Sequence, residues 1–109
     1  MSEDKSILIN LSKSEIESDN YDLDIIIKMI CGIEDDNKYD VLIHRFFEGE
    51  ENNECMPIGW FCHIQVYDYN EKEYYWCINR EKSVKVFGCI SPKQSVIEAL
   101  KILFKDELS

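Results

Sequence analysis

Residues 59–69 read as one long β-strand with two well-supplied faces, and this constrains the chain more than any other segment. Trp60, Cys62, Ile64 and Val66 fall on one side, and Phe61, His63, Gln65 and Tyr67 on the other. Asn70, Glu71 and Lys72 form a polar hairpin turn, and residues 73–79 return as a partner strand. A lone hairpin is marginally stable in water, so other elements must cover at least one of its faces. Residues 39–47, rich in branched and aromatic side chains, supply a further strand; residues 84–90 either add a fourth or lead into the last helix.

The covering elements are helices. Ser91 is placed as an N-cap, Pro92 at the first helical position and Gln94 as the partner in a capping box. Val96, Ile97, Ala99, Leu100, Leu103 and Phe104 then form a wide apolar stripe, while Glu98, Lys101 and Lys105 face water. At the other end, Ser12, Lys13, Ser14 and Glu15 fit a second capping box. They predict a helix running to Cys31, interrupted near Asp19 and Asn20, with Gly32 as a left-handed C-cap. Leu23, Ile26, Ile27 and Ile30 make its buried face. Residues 1–10 are expected as an edge strand or ordered arm, because 6–11 alternate, and the acidic segment 48–56 as a mobile loop. The expected fold is a single α+β domain over residues 1–109. An antiparallel three- to four-stranded sheet carries N- and C-terminal helices on one face, in α-β-β-β-α order.

Charge narrows the partner. The chain of 109 residues carries a net −10. Residues 1–54 hold fifteen acids and five bases, whereas residues 55–109 hold seven of each, so the whole surplus lies in the first half. Such a chain lacks the basic footprint needed to bind nucleic acid or an anionic membrane directly. With 45% hydrophobic residues it is too apolar for a disordered acidic tail. Residues 1–5 are polar and residues 7–9 too short for the core of a secretion signal. The five cysteines show no C-x-x-C spacing, which suits reduced thiols in the cytoplasm.

Three stretches together resemble the small phage "ABA sandwich" domain proteins. Leu11, Ser12, Lys13, Ser14, Glu15 and Ile16, with Lys28, Met29, Ile30, Cys31 and Gly32, are similar to that family's opening helix. Tyr39, Asp40 and Val41 leading to a strand bearing Trp60 are similar to its sheet. Ser91 and Pro92 before Val96, Ile97, Glu98, Ala99 and Leu100 are similar to its closing helix. The resemblance implies a fold and a phage-like origin and transfers no functional residue. Double-stranded RNA-binding domains share the element order, but they grip phosphates with basic residues at the start of the second helix. Here that helix opens Ser91, Pro92, Lys93, Gln94 and Ser95, with a single cation.

No catalytic constellation stands out. His44 and His63 with Cys55 and Cys62 lack metal-ligand spacing, so neither a metal nor a cofactor is expected. There is no phosphate-cradling glycine loop, nucleophile elbow or zinc-protease motif. The chain therefore reads as a non-enzymatic binding protein. Asp22, Asp24, Glu34, Asp35, Asp36, Glu48, Glu50, Glu51 and Glu54 are its candidate contact residues, standing in for phosphates in the basic groove of a nucleic-acid-handling protein. The expected role is a phage or mobile-element inhibitor of a host defence nuclease, of anti-CRISPR or other anti-defence type, acting in the bacterial cytoplasm. An immunity protein that neutralises a cognate basic nuclease toxin is the alternative on the same surface. A third reading comes from the aromatic residues, seven of thirteen lying between Trp60 and Trp76. Phe61, Tyr67, Tyr69 and Tyr75 then form an interface for a homodimer or another partner.

Overall fold

A computed structural model describes residues 3–13, 18–47 and 57–108. Two helices, α1 (Glu3–Ser12) and α2 (Leu23–Cys31), precede four strands: β1 (Asn37–Phe46), β2 (Gly59–Asn70), β3 (Tyr75–Ile78) and β4 (Val84–Cys89). A third helix, α3 (Pro92–Leu103), and the short α4 (Lys105–Leu108) close the chain. The architecture is α+β, a four-stranded antiparallel sheet with helices at both ends of the sequence.

Every other strand pairs with β2. Strand β1 lies along one edge of it, from Asn37 opposite Asp68 to Phe46 opposite Gly59. Its other edge is shared, β3 taking Tyr67 to Asn70 and β4 taking Trp60 to Ile64. The two short strands thus lie end to end. Between them the backbone of Val66 is satisfied by the Asn79 N–H, which donates to the Val66 carbonyl at 2.6 Å, and by Ser83 Oγ, which accepts the Val66 N–H at 3.0 Å.

Strand alternation separates the two faces as the sequence predicts. Cys62, Ile64 and Val66 are buried beneath the helices, flanked by Val41 and Ile43 of β1 and by Val84 and Val86 of β4. Helix α3 packs on β4 and β2, α2 packs on β1, and α1 wedges between α2 and α3. Leu8, Ile26, Ile30, Val96, Ala99 and Leu100 complete the core. At the start of α3, Ser91 Oγ accepts the Gln94 N–H at 3.1 Å, and Gln94 Oε1 reaches back to the Ile90 N–H at 2.8 Å. The first bond is that of a standard capping box; the reciprocal one falls one residue earlier, on the N–H before the N-cap.

The N-terminal third departs from expectation. The alternating segment 6–11 is helix rather than edge strand, because Leu8, Leu11 and Ser12 fall on one side of a helical turn and are buried there. Ser12 does not start a helix; it ends α1, its hydroxyl donating to the Leu8 carbonyl at 2.9 Å. The predicted single helix is therefore replaced by α1, a 3-10 turn (Ser18–Asn20) and α2. Gly32 caps α2 without a left-handed backbone (φ −96°, ψ 4°), its N–H shared between the Lys28 and Met29 carbonyls. The acidic loop placed at 48–56 lies outside the described residues.

Candidate functional site

The acidic residues gather along α2. Asp22 is its N-cap residue, but its carboxylate makes no capping hydrogen bond, and Asp22, Asp24, Ile25, Lys28 and Cys31 are all exposed. Glu34, Asp35 and Asp36 follow directly after the helix, also exposed. A nine-residue helix is about 13 Å long at its usual rise, so the two predicted clusters sit at opposite ends of one ridge. Asp40 lies nearby on β1, opposite Gln65. Its carboxylate accepts the Val41 N–H at 2.9 Å on the free outer edge of β1, and its charge acts on the Cys31 thiol. Asp22, Asp24, Glu34 and Asp36 have no ion-pair partner among the described residues.

Asp35 has a different role. It accepts from the Tyr39 hydroxyl at 2.9 Å and the Asn37 N–H at 2.8 Å, and pairs with Lys5 at 3.5 Å. Burial first, and then this bond to Asp35, push the Tyr39 hydroxyl above its ordinary range, so it remains a donor at neutral pH. Asp35 therefore ties α1 to the entry of β1 as well as adding charge. Glu48, Glu50, Glu51 and Glu54 lie outside the described residues.

The second predicted surface is the face of the sheet turned away from the helices. Phe61, Tyr67 and Tyr69 lie on it. Tyr75 does not: it pairs with Asn70 and faces the other way, while its neighbour Trp76 pairs with Tyr69 and takes the place expected for Tyr75. Ring contacts run from His44 to Phe46 (4.7 Å), Phe46 to Phe61 (5.8 Å) and Phe61 to Phe87 (4.8 Å). Farther along, Tyr69 meets Trp76 at 5.3 Å, and Lys38 Nζ lies 4.7 Å over the Trp76 ring. The signal for Trp76 was the turn length. A turn over Asn70–Lys72 would place Tyr75 on the open face; the observed turn places Trp76 there.

Asp68 accepts hydrogen bonds from Asn37 and from Asn79 (2.6 Å) and faces Lys82 at 3.7 Å, joining β1, β2 and the 79–83 arch. Among the described residues no three His, Cys, Asp or Glu side chains group as metal ligands do, and no helix is long and apolar enough to cross a membrane.

Three of the thiols are held protonated. Burial, then the charge of Asp40, raises Cys31; burial, then Cys89, pushes Cys62 up to about 12; burial, then Glu98, raises Cys89. None of the three is the thiolate that nucleophilic chemistry requires. Native protein treated with iodoacetamide at neutral pH is expected to leave Cys62 and Cys89 unmodified by mass spectrometry, and unfolded protein to modify both. Because Cys62 ionises more easily unfolded than folded, its contribution to stability is complete below about pH 8.5 and is lost above it, by up to about 1.4 kcal/mol per pH unit. Urea midpoints at pH 8 and pH 10.5 check this: the alkaline value is expected to be the lower.

No protein-family model matches the chain, and no curated protein or solved structure is significantly similar to it.

Proposed function

We propose that this protein is a non-catalytic inhibitor that binds a basic, nucleic-acid-handling partner through the acidic ridge along α2. One observation carries the reading. Asp22, Asp24, Glu34 and Asp36 are exposed along a single helix and its exit, with no ion-pair partner among the described residues. Unpaired surface carboxylates gain most from a partner whose Lys and Arg side chains face them, and they speed encounter with it. A nuclease presents such a surface where it holds phosphates, so an acidic ridge seated there excludes the substrate. The resemblance to small phage domains favours a host defence nuclease, of anti-CRISPR or related anti-defence type, as the target; immunity to a cognate toxin nuclease would use the same surface.

The test compares the native chain with a variant carrying Asp22→Lys, Asp24→Lys, Glu34→Lys and Asp36→Lys. Both are used to capture a nuclease from bacterial lysate at low and high salt, and then to displace a labelled oligonucleotide from it. The native chain is expected to bind at low salt, release at high salt and displace the oligonucleotide. The variant is expected to lose about 100-fold or more in affinity, at somewhat under 1 kcal/mol per site. Equal displacement by a variant with an unchanged circular dichroism spectrum removes the ridge from the mechanism.

A further inference from the structure

The acidic ridge leaves a second feature of the molecule unused. Because β3 begins its pairing at Tyr67 and β4 ends its own at Ile64, Gln65 and Val66 have no strand neighbour on that side. On the open face this gap is a hollow of about 680 Å³, lined by His63, Gln65, Ile78, Arg80, Ser83 and Lys85. That volume suits a small molecule rather than a single ion.

The lining is rich in donors and contains no carboxylate. Arg80 and Lys85 are exposed and make no ion pair among the described residues. The Tyr67 hydroxyl donates to Gln65 Oε1 at 3.1 Å, which leaves the Gln65 amide hydrogens to point elsewhere. Ser83 is already committed, donating to the Asn79 carbonyl at 2.7 Å and accepting the Val66 N–H. Lys82, one residue from the hollow, is turned to Asp68. In a chain of net −10, a recess lined by two cations and by no acid favours negative charge, with Asp40 standing opposite Gln65 on β1 as the nearest carboxylate by register.

We propose that this hollow binds a small phosphate monoester, its oxygens held by Arg80, Lys85 and the Gln65 amide, with Ile78 against the organic part. Charge-assisted bonds from a guanidinium and an ammonium to a dianion are the strong contacts available there. A polynucleotide fits less well, because only two cations line the hollow and its other phosphates would meet a strongly acidic molecule.

His63 reports occupancy. It faces Lys85 from β4, Leu42 from β1 and Arg80 from the arch, with His44 and Asp40 at the diagonals on β1. Burial, then the Lys85 charge, holds its imidazole below the ordinary value, so it is neutral in the empty site at pH 7. A bound dianion offsets Lys85 and draws a proton onto the ring, so the His63 titration moves upward when the hollow is filled.

The experiment is an NMR titration of the full chain with inorganic phosphate, adenosine monophosphate, adenosine and a single-stranded oligonucleotide at constant ionic strength. Saturable shifts are expected at Gln65, Lys85 and His63 with phosphate and with the monophosphate, the latter binding more tightly, and none with adenosine. The His63 titration is expected to move upward on saturation. Arg80→Gln with Lys85→Gln, both at exposed positions, is expected to cost about tenfold or more in affinity while leaving the rest of the spectrum in place. The proposal is overturned by non-saturable shifts, by adenosine binding as well as its monophosphate, by an unmoved His63 titration, or by an oligonucleotide binding more tightly per phosphate. The four-lysine variant of the α2 ridge is expected to keep this binding, so failure of either proposal can be told from failure of the other.

Discussion

Ile64→Ala is expected to destabilise the fold by about 2–5 kcal/mol. Ile64 is fully buried at the centre of β2, with Val41 opposite it on one side and Val84 on the other. Truncation removes apolar surface and leaves a void that the paired backbones on both sides cannot close. Against a typical total of about 5–15 kcal/mol for a domain, that is a large fraction. Urea unfolding should show the midpoint falling with little change in slope. Ile64→Val, which removes one methylene, is expected to cost only about 0.5–1.5 kcal/mol. Equal losses from the two variants would mean that the site is not close-packed.

Gly59→Ala is the second large effect and acts through the backbone. Gly59 opens β2 at φ +129°, where side chains are strained, and an added Cβ would come within 2.8 Å of the Cys89 carbonyl oxygen. That oxygen belongs to the strand paired beside it and cannot swing aside as a side chain would. The strained conformation alone costs about 1–3 kcal/mol, and the clash adds to it. Gly88→Ala is the control. At φ +72° its Cβ would meet, among the described residues, only the Pro57 ring, at 3.2 Å, so a cost nearer 1–2 kcal/mol is expected, roughly that of a left-handed residue. Thermal unfolding of the two variants should rank Gly59→Ala below Gly88→Ala; the reverse order would place the strain elsewhere.

Sequence reading succeeded where the signal was local. Ser91, Pro92 and Gln94 announce α3 because capping chemistry is complete within four residues. The faces of β2 follow from alternation alone. It failed where packing decides between local choices. Residues 6–11 have the branched, alternating look of a strand, yet burying Leu8 and Leu11 between α2 and α3 makes them helix. The hairpin shows how a small misreading propagates. Asn70, expected within the turn, is instead the last residue of β2, opposite Tyr75, and its side chain accepts the Lys72 and Glu73 N–H groups of the turn that follows. The turn continues to Tyr74, at φ +58°, and the added residue exchanges Tyr75 for Trp76 on the open face. The hollow was not legible at all. His63, Arg80 and Lys85 come together only because β3 and β4 stop on either side of Val66, a fact of register that no spacing in the chain announces.

The sharing of one edge of β2 by two strands also sets the order in which the molecule can be completed. Strands β1, β3 and β4 each rest on β2 and not on one another. As the chain leaves the ribosome, β2 can gain its first partner early, but its second edge is closed only in part by β3 and stays open elsewhere until β4 has emerged. A nascent sheet in this arrangement is vulnerable between the completion of β2 at Asn70 and that of β4 at Cys89, because half of its central strand then offers unpaired amides to any neighbouring polypeptide. Placing the best-defined helix immediately after the last strand lets it cover the sheet as soon as that interval closes.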